Sequence, residues 1–213
     1  MADRTFLDWP FFDPRHRDWA AEVEAFAASM PVDHSDIDAA CRTLVREMGD
    51  AGLLRVTGNA ADPLSVRHLC IARETLARHD GLADFSFAVQ GLGTGAISLF
   101  GSEAQQQAWL PATMRGAAVA AFALTAPQSG SDVANSTMTA TRDGDYYVLN
   151  GEKTWISNGG IADVYTLFAR SEEAPGARGL SAFIVTPDLA GFEVVARLET
   201  IAPHPLATLR FTE

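Results

Sequence analysis

The first half of the chain carries apolar residues at helical spacing. Ser35 precedes a run whose apolar side chains share one helix face: Ile37, Ala40, Cys41, Leu44, Val45 and Met48. Ser65 opens a second run of this kind. Ser102 and Gln105 form a capping box that begins a third helix, which Pro111 is expected to end. Helices are therefore predicted as far as Pro111.

The pattern changes to strands after Gly116. Residues 137–141 alternate between polar and apolar, Asp143-Gly144 is typical of a hairpin, and Asn150-Gly151 predicts a second tight turn. Further strand-like runs lie at 164–169, 180–185, 192–196 and 208–212. We therefore predict an α+β chain of two domains. An all-α helical domain is expected at 1–113, followed by a small antiparallel β-barrel or sandwich at 114–213.

Composition and charge fit a globular protein with a sizeable core, since 47% of the 213 residues are hydrophobic and 20% are charged. The formal net charge of −11 disfavours nucleic acid and anionic membranes as partners. Cys41 and Cys70 are isolated and predict buried thiols, and the five histidines lack metal-ligand spacing. Because there is no apolar signal core and no run of about 18 apolar residues, we expect a cytoplasmic location.

Two segments end apolar runs in residues suited to a flat, polar ligand. Residues 123–133 read Ala-Leu-Thr-Ala-Pro-Gln-Ser-Gly-Ser-Asp-Val and are called the loop segment below. We expect Gly130 to adopt backbone conformations closed to other residues, which would let neighbouring amides face a pyrophosphate. The hydroxyls of Thr125, Ser129 and Ser131 would add donors.

Residues 151–160 read Gly-Glu-Lys-Thr-Trp-Ile-Ser-Asn-Gly-Gly and are called the tryptophan segment. Trp155 offers a π surface against which a tricyclic ring can stack, and Ser157 would lie on the same strand face. Either segment alone is more typical of an ordinary loop or a core tryptophan than of a cofactor site, but together they predict a flavin site.

A third segment, Gly91-Leu-Gly-Thr-Gly-Ala96, satisfies the G-x-G-x-x-G/A pattern of dinucleotide-binding folds. That function needs a strand before the glycines and an acidic residue about 20 positions after them. Here the flanking sequence is helical and Glu103 comes too early. An NAD site is therefore disfavoured.

The loop and tryptophan segments resemble the paired signatures of the acyl-CoA dehydrogenases, Leu-Thr-Glu-Pro-x-x-Gly-Ser-Asp and Gly-x-Lys-x-Trp-Ile-Ser/Thr-Asn-Gly. Residues 100–111, 179–185 and 206–211 are also similar to elements of this family, so the resemblance covers most of the chain from about Ala39 onward. One departure is Ala126, which stands where the family usually has Glu. This position flanks the flavin contacts, and FAD binding is still expected.

The resemblance implies FAD as cofactor and α,β-dehydrogenation of an acyl-CoA thioester, with an electron-transfer flavoprotein as acceptor. A carboxylate would remove the α-proton, and the β-hydride would pass to flavin N5. Ser157 would lie near N5, Ser131 would also contact the CoA portion of the substrate, and residues 91–96 would border the acyl pocket. Flavin contacts are implied at eight positions: Phe122, Leu124, Thr125, Gly130, Ser131, Trp155, Ile156 and Ser157.

The family's C-terminal four-helix domain carries the catalytic Glu and much of the dimer interface, and no glutamate of this chain matches that base. We therefore expect an incomplete dehydrogenase that is inactive alone. It would need a C-terminal helical domain or partner subunit and form a homo-oligomer when complete. The alternatives are a non-catalytic FAD- or acyl-CoA-binding subunit of a split enzyme, and a flavin monooxygenase or acyl-CoA oxidase of the same fold.

Overall fold

The computed structural model of the protein describes residues 3–58, 64–172 and 174–212. In these ranges five α-helices precede seven strands. The helices are α1 (Pro14–Ser29), α2 (Ile37–Asp50), α3 (Val66–His79), α4 (Gly81–Phe100) and α5 (Glu103–Met114). The strands are β1 (Ala120–Ala123), β2 (Thr139–Asp143), β3 (Tyr146–Ser157), β4 (Val164–Arg170), β5 (Leu180–Val185), β6 (Phe192–Arg197) and β7 (Leu206–Phe211). None of the helices in the described ranges is long and apolar enough to cross a membrane.

The predicted order of helices followed by strands is confirmed, and polar caps set the helix starts. Ser65 caps α3, and Ser102 with Gln105 forms the capping box of α5. Asp36 caps α2, where its carboxylate accepts a hydrogen bond from the Ala39 amide. These caps satisfy amides that the helices leave without an internal partner.

The prediction that Pro111 ends α5 is wrong, because the helix continues to Met114. A proline removes its own N–H from the helix ladder, and so close to the C-terminus it disturbs only the final turns. The hydroxyl of Thr113 donates within this turn, 3.1 Å from the carbonyl of Trp109 and 3.0 Å from that of Leu110.

The described strands form one sheet in the order β1-β4-β2-β3-β7-β6, with β5 paired to β4. The predicted antiparallel pairing holds for β2 with β3, β3 with β7, β4 with β5 and β6 with β7, but β4 also has parallel neighbours, so the sheet is mixed. β1 runs parallel to β4, with Ala120 opposite Val164 and Ala123 opposite Leu167. A parallel pair needs a long crossover, and here the loop segment and the β2–β3 hairpin provide it.

The second predicted turn, Asn150-Gly151, is absent because β3 runs through it. Gly151 instead marks the point where β3 changes partner. Asn150 pairs with β2, whereas Gly151 pairs with Phe211 of β7. A Cβ on Gly151 would lie 3.0 Å from the Cα of Met138, so the glycine permits a close approach of backbones. The hairpin at Asp143-Gly144 is confirmed, with Gly144 at φ 61°.

Helix α4 packs against β1, and the glycines at 91–96 lie inside this helix. A Cβ on Gly93 would lie 2.7 Å from the Cβ of Ala120, so this glycine brings helix and strand together. The Thr166 hydroxyl donates to the Gly93 carbonyl at 2.7 Å, and the Gln90 side chain accepts from the Ala120 amide at 2.9 Å. Among the described residues before position 91 there is no strand, so the strand–turn–helix unit of a dinucleotide-binding turn is not formed there.

The two cysteines differ in environment. Cys41 on α2 is buried as predicted, but Cys70 is exposed, so the prediction of a second buried thiol is wrong. On α3 the buried side chains are Ile71, Ala72, Thr75 and Leu76, and position 70 falls on the edge of that stripe.

Candidate cofactor site

The loop segment and the tryptophan segment lie side by side. The Thr154 amide donates to the carbonyl of Thr125 at 3.0 Å. One residue earlier on each segment, Nζ of Lys153 donates to the carbonyl of Leu124 at 2.7 Å. These bonds place Trp155 next to the start of the loop that follows β1.

The loop segment is folded by its own backbone. Ala126 and Ser129 exchange two amide–carbonyl bonds of 3.2 and 3.0 Å, which close a tight turn. Gly130 and Ser131 follow this turn and are exposed. Their amides donate to no acceptor among the residues that the structure describes. Exposed amides of this kind are available as hydrogen-bond donors to an anion.

The conformation expected of Gly130 is not found. Its φ lies outside the positive range that favours glycine, unlike that of Gly144 or Gly151. A Cβ on Gly130 would meet no heavy atom within 4 Å. The glycine therefore leaves open space in front of the loop amides rather than allowing a special backbone conformation.

The three hydroxyls of the loop segment are not equivalent. Ser129 is 2% exposed, and its Oγ has no hydrogen-bond partner among the described residues. Ser129 therefore presents almost no surface from which its hydroxyl could donate to a ligand. Ser131 is exposed and Thr125 is half-buried, so these two hydroxyls remain at the surface of the site.

Trp155 sits in a β-bulge. The register between β3 and β7 shifts between Lys153 and Ile156, and Trp155 has φ 58°, which is unusual for a bulky residue. The bulge directs Trp155 outward, where 56% of the residue is exposed. Ser157, two residues on, is half-buried. An aromatic face held outward by a strained backbone is typical of a functional position.

Three of the predicted site positions expose less of their side chains than Trp155 and Ser131 do. Ile156 is 1% exposed, so only its backbone is available to a ligand. Phe122 and Leu124 are half-buried. The ring of Phe122 packs edge-on against Phe168, with 5.2 Å between centroids. The contact between Phe122 and Phe168 joins β1 to β4 just before the loop segment.

Lys153 was not among the predicted site residues. Its side chain is fully buried, and Nζ donates to the Leu124 carbonyl and, at 3.2 Å, to Oγ of Ser136. Burial lowers the pKa of Lys153 to about 8. Two signals could have found it: it is the single lysine among the sixteen lysines and arginines, and it matches the Lys of the Gly-x-Lys-x-Trp signature.

Asn158 fixes the end of the tryptophan segment. It is fully buried with φ 60°, and its amide donates to the Pro205 carbonyl at 2.8 Å. Its Nδ2 donates to the Ala120 carbonyl at 2.9 Å, at the start of β1. The two strands that carry the site residues are thereby joined at a second point.

Comparison with known proteins agrees with this architecture. The family model described as acyl-CoA dehydrogenase, N-terminal domain, matches residues 13–117, and that of the middle domain matches residues 121–213. The chain belongs to the acyl-CoA dehydrogenase family. The resemblance noted in the loop and tryptophan segments is thereby confirmed.

Relatives within this family are longer than the chain. The probable acyl-CoA dehydrogenase FadE25 of Mycobacterium tuberculosis is 42% identical over 137 residues, which are 64% of this chain and 34% of that protein. The structure of Bacillus anthracis acyl-CoA dehydrogenase, complexed with FAD, has a TM-score of 0.81 at 29% identity and covers 99% of this chain and 39% of that chain.

A chain from a structure described as an electron transferring flavoprotein of Acidaminococcus fermentans has a TM-score of 0.82 at 29% identity. The match covers 94% of this chain and 55% of that one. The chain thus spans about a third to about half the length of these relatives. The predicted pairing of a helical part with a β part is the arrangement of solved acyl-CoA dehydrogenases.

Proposed function

We propose that this chain forms the FAD-binding wall of an enzyme that dehydrogenates an acyl-CoA thioester between its α and β carbons. The observation that carries the proposal is the docking of the two segments, through the bonds from Lys153 to Leu124 and from Thr154 to Thr125. This docking sets an exposed aromatic face beside a loop with unused amide donors. A flat ring joined to an anionic group matches both features.

The residues present fit FAD. The amides of Gly130 and Ser131, with the hydroxyls of Ser131 and Thr125, would hold the pyrophosphate. The exposed face of Trp155 would pack against the isoalloxazine ring, and the Ser157 hydroxyl would meet its edge. FAD supplies hydride acceptance when bound, whereas these residues bind the cofactor, orient its ring and exclude water from one face.

The proton at the α carbon needs a base within hydrogen-bond reach, and geometry decides whether a carboxylate can serve. The relatives extend well beyond the region that this chain matches. We therefore propose that the base lies outside these 213 residues, on a C-terminal helical domain or partner subunit. The 213 residues alone would hold FAD weakly and would not dehydrogenate acyl-CoA.

The proposal also includes the electron acceptor, the CoA contact, the oligomeric state and the location of the complete enzyme. An electron-transfer flavoprotein is the proposed electron acceptor, and the Acidaminococcus fermentans structure that contains a similar chain is described as such a flavoprotein. Ser131 is proposed to contact the CoA portion of the substrate as well as FAD. We also propose a homo-oligomer for the complete enzyme and a cytoplasmic location.

Anaerobic reduction of the flavin by acyl-CoA tests the reaction. The 213-residue chain loaded with FAD is compared with the same chain fused to the C-terminal domain of a full-length acyl-CoA dehydrogenase, over a series of acyl chain lengths. We expect bleaching of the flavin absorbance only in the fusion. Stoichiometric bleaching by the chain alone would place the base within it, and failure of both proteins to retain FAD would overturn the proposed function.

A further inference from the structure

The single lysine of the chain occupies an unusual position. All other basic residues counted in the composition are arginines, while Lys153 is fully buried in the β part. Buried ammonium groups are normally paired with a carboxylate, because transfer of a charge from water is unfavourable. Lys153 forms no ion pair with any residue that the structure describes, and both of its hydrogen-bond acceptors are neutral.

The two acceptors lie at opposite ends of the loop. Leu124 immediately precedes the first loop hydroxyl, and Ser136 follows the short 3-10 turn at Val133–Asn135. Nζ of Lys153 therefore connects the two ends of the stretch 125–135. It lies 2.7 Å from the Leu124 carbonyl and 3.2 Å from Oγ of Ser136. This side chain closes the base of the loop that carries Gly130 and Ser131.

Charged groups on the neighbouring elements are already occupied. Glu152 of β3 pairs with Arg210 of β7 at 2.9 Å. Arg170 of β4 donates to the Ala134 carbonyl at 2.6 Å, on the far side of the loop base. On the loop itself, the Asp132 carboxylate accepts from the Asn135 side chain. No carboxylate among the described residues therefore pairs with Lys153, and its charge would favour an anion bound at the loop.

We propose that Lys153 is a positioning residue, which holds the loop segment in the shape that presents its amides to the FAD pyrophosphate and adds a buried positive charge behind them. This inference rests on the proposed function. Lysine suits the task because its compact ammonium reaches both acceptors through a narrow stem, whereas the wide, planar guanidinium of arginine would have to be accommodated in a closed interior.

Matched variants test the hydrogen bonds. We expect Lys153→Met, which keeps the apolar stem, to weaken FAD binding by about tenfold or more, because hydrogen bonds to charged groups are among the strong ones. Ser136→Ala removes one acceptor and should weaken binding by a smaller factor. Arg142→Met is the control, since this exposed cation lies on the β2–β3 hairpin and donates to Gly144. Dissociation constants equal to that of the parent in both Lys153→Met and Ser136→Ala would overturn the role of the loop closure.

The pKa of Lys153, measured with and without FAD, distinguishes an electrostatic effect on the bound cofactor from a purely structural role. A chain labelled with carbon-13 at the lysine ε position gives a signal from one residue. In the FAD-free chain this signal should report a pKa of about 8, lowered by burial. Saturating FAD should raise that pKa, because a nearby dianion favours the charged form. An unchanged pKa with FAD bound would contradict the proposal.

The outcomes distinguish this inference from the proposed function. If the parent chain does not bind FAD, the proposed function fails. If the parent binds FAD while Lys153→Met binds equally well and the lysine pKa does not move, only the inference about Lys153 fails. Should Lys153→Met not fold, the titration of the parent and the affinity of Ser136→Ala still decide the question.

Discussion

The thiol of Cys41 lies 3.4 Å from Oδ1 of Asn158, and this contact joins helix α2 to the end of the tryptophan segment. The same sulfur lies 3.2 Å from Oγ of Ser86 on α4. Because Asn158 also donates to the carbonyl of Ala120, one buried polar cluster connects two helices with β1 and β3. The position of the candidate site therefore depends on packing between the helical and β parts.

This cluster predicts unequal thiol reactivity. Burial raises the pKa of Cys41 to about 11, whereas Cys70 is exposed. The thiolate is the reactive form of cysteine. Cys41 is therefore protected from reagents because it is buried and because its thiol stays protonated at pH 8. With a disulfide reagent at pH 8, the native chain should release one equivalent quickly and the denatured chain two. Cys70→Ala is the control and should abolish the fast phase; a fast phase that persists in this variant would contradict the assignment.

Two glycines that meet open space provide a matched pair. A Cβ added to Gly130 or to Gly144 would meet no heavy atom within 4 Å, but only Gly144 has a positive φ. Gly144→Ala should lower the free energy of unfolding by about 1 kcal/mol, and Gly130→Ala should leave it nearly unchanged.

FAD affinity should show the reverse order, because a methyl group at position 130 would stand in front of the loop amides. Urea unfolding and calorimetric titration with FAD measure the two quantities. Tighter or equal FAD binding by Gly130→Ala would contradict the proposed pyrophosphate contact.

Two buried serines should respond oppositely to loss of the hydroxyl. Both are 2% exposed, but Oγ of Ser129 has no described partner whereas Oγ of Ser136 accepts from Lys153. Ser129→Ala should leave stability equal or raise it by up to about 1 kcal/mol, since an unsatisfied polar group is removed. Ser136→Ala should lower it by about 1 to 2 kcal/mol. Thermal unfolding of both variants measures the two effects. Equal destabilisation would contradict the hydrogen bond from Lys153 to Ser136.

The buried lysine predicts a pH dependence of stability. Its pKa falls from 10.5 to about 8 on folding, so between these values the unfolded chain binds more protons than the folded one. The free energy of unfolding therefore gains a contribution from Lys153 as the pH rises through this window, by roughly 2 kcal/mol between pH 7.5 and 10.

Urea unfolding of the parent chain and of Lys153→Met over this range isolates the effect, because other titrating groups are common to both. The difference in stability between the two proteins should shift in favour of the parent at high pH. A constant difference would show that the lysine is not desolvated in the folded state.

Local signals in the sequence were sufficient for most elements. Caps such as Ser65 and Ser102 are read from a few neighbouring residues, and the Asp143-Gly144 hairpin is equally local. The direction of β1 was not predictable in this way, because its partner β4 lies some forty residues later in the chain. The same holds for Gly151, which indicates a turn locally but serves a change of strand partner.

The residues of the candidate site also divide into those that local signals predict and those whose placement depends on distant parts of the chain. Thr125, Ser131 and Trp155 were found from residue type and family resemblance, and the structure places them at exposed or half-buried positions of one region. The bulge at Trp155 depends on the register with β7, and no glycine marks it in the sequence. The proposed role of Lys153 depends on its burial and on its contacts with Leu124 and Ser136, which lie 29 and 17 residues away in the chain.

The proposed function requires that the chain bind FAD with Trp155 against the isoalloxazine ring. Calorimetric titration with FAD measures this binding, with Tyr146→Ala as control because Tyr146 is a 79% exposed aromatic residue on the same strand. The parent chain and Tyr146→Ala should bind with equal affinity, and Trp155→Ala should bind more weakly by about 1 to 3 kcal/mol. Absence of binding by the parent chain, or an unchanged affinity in Trp155→Ala, would contradict the account.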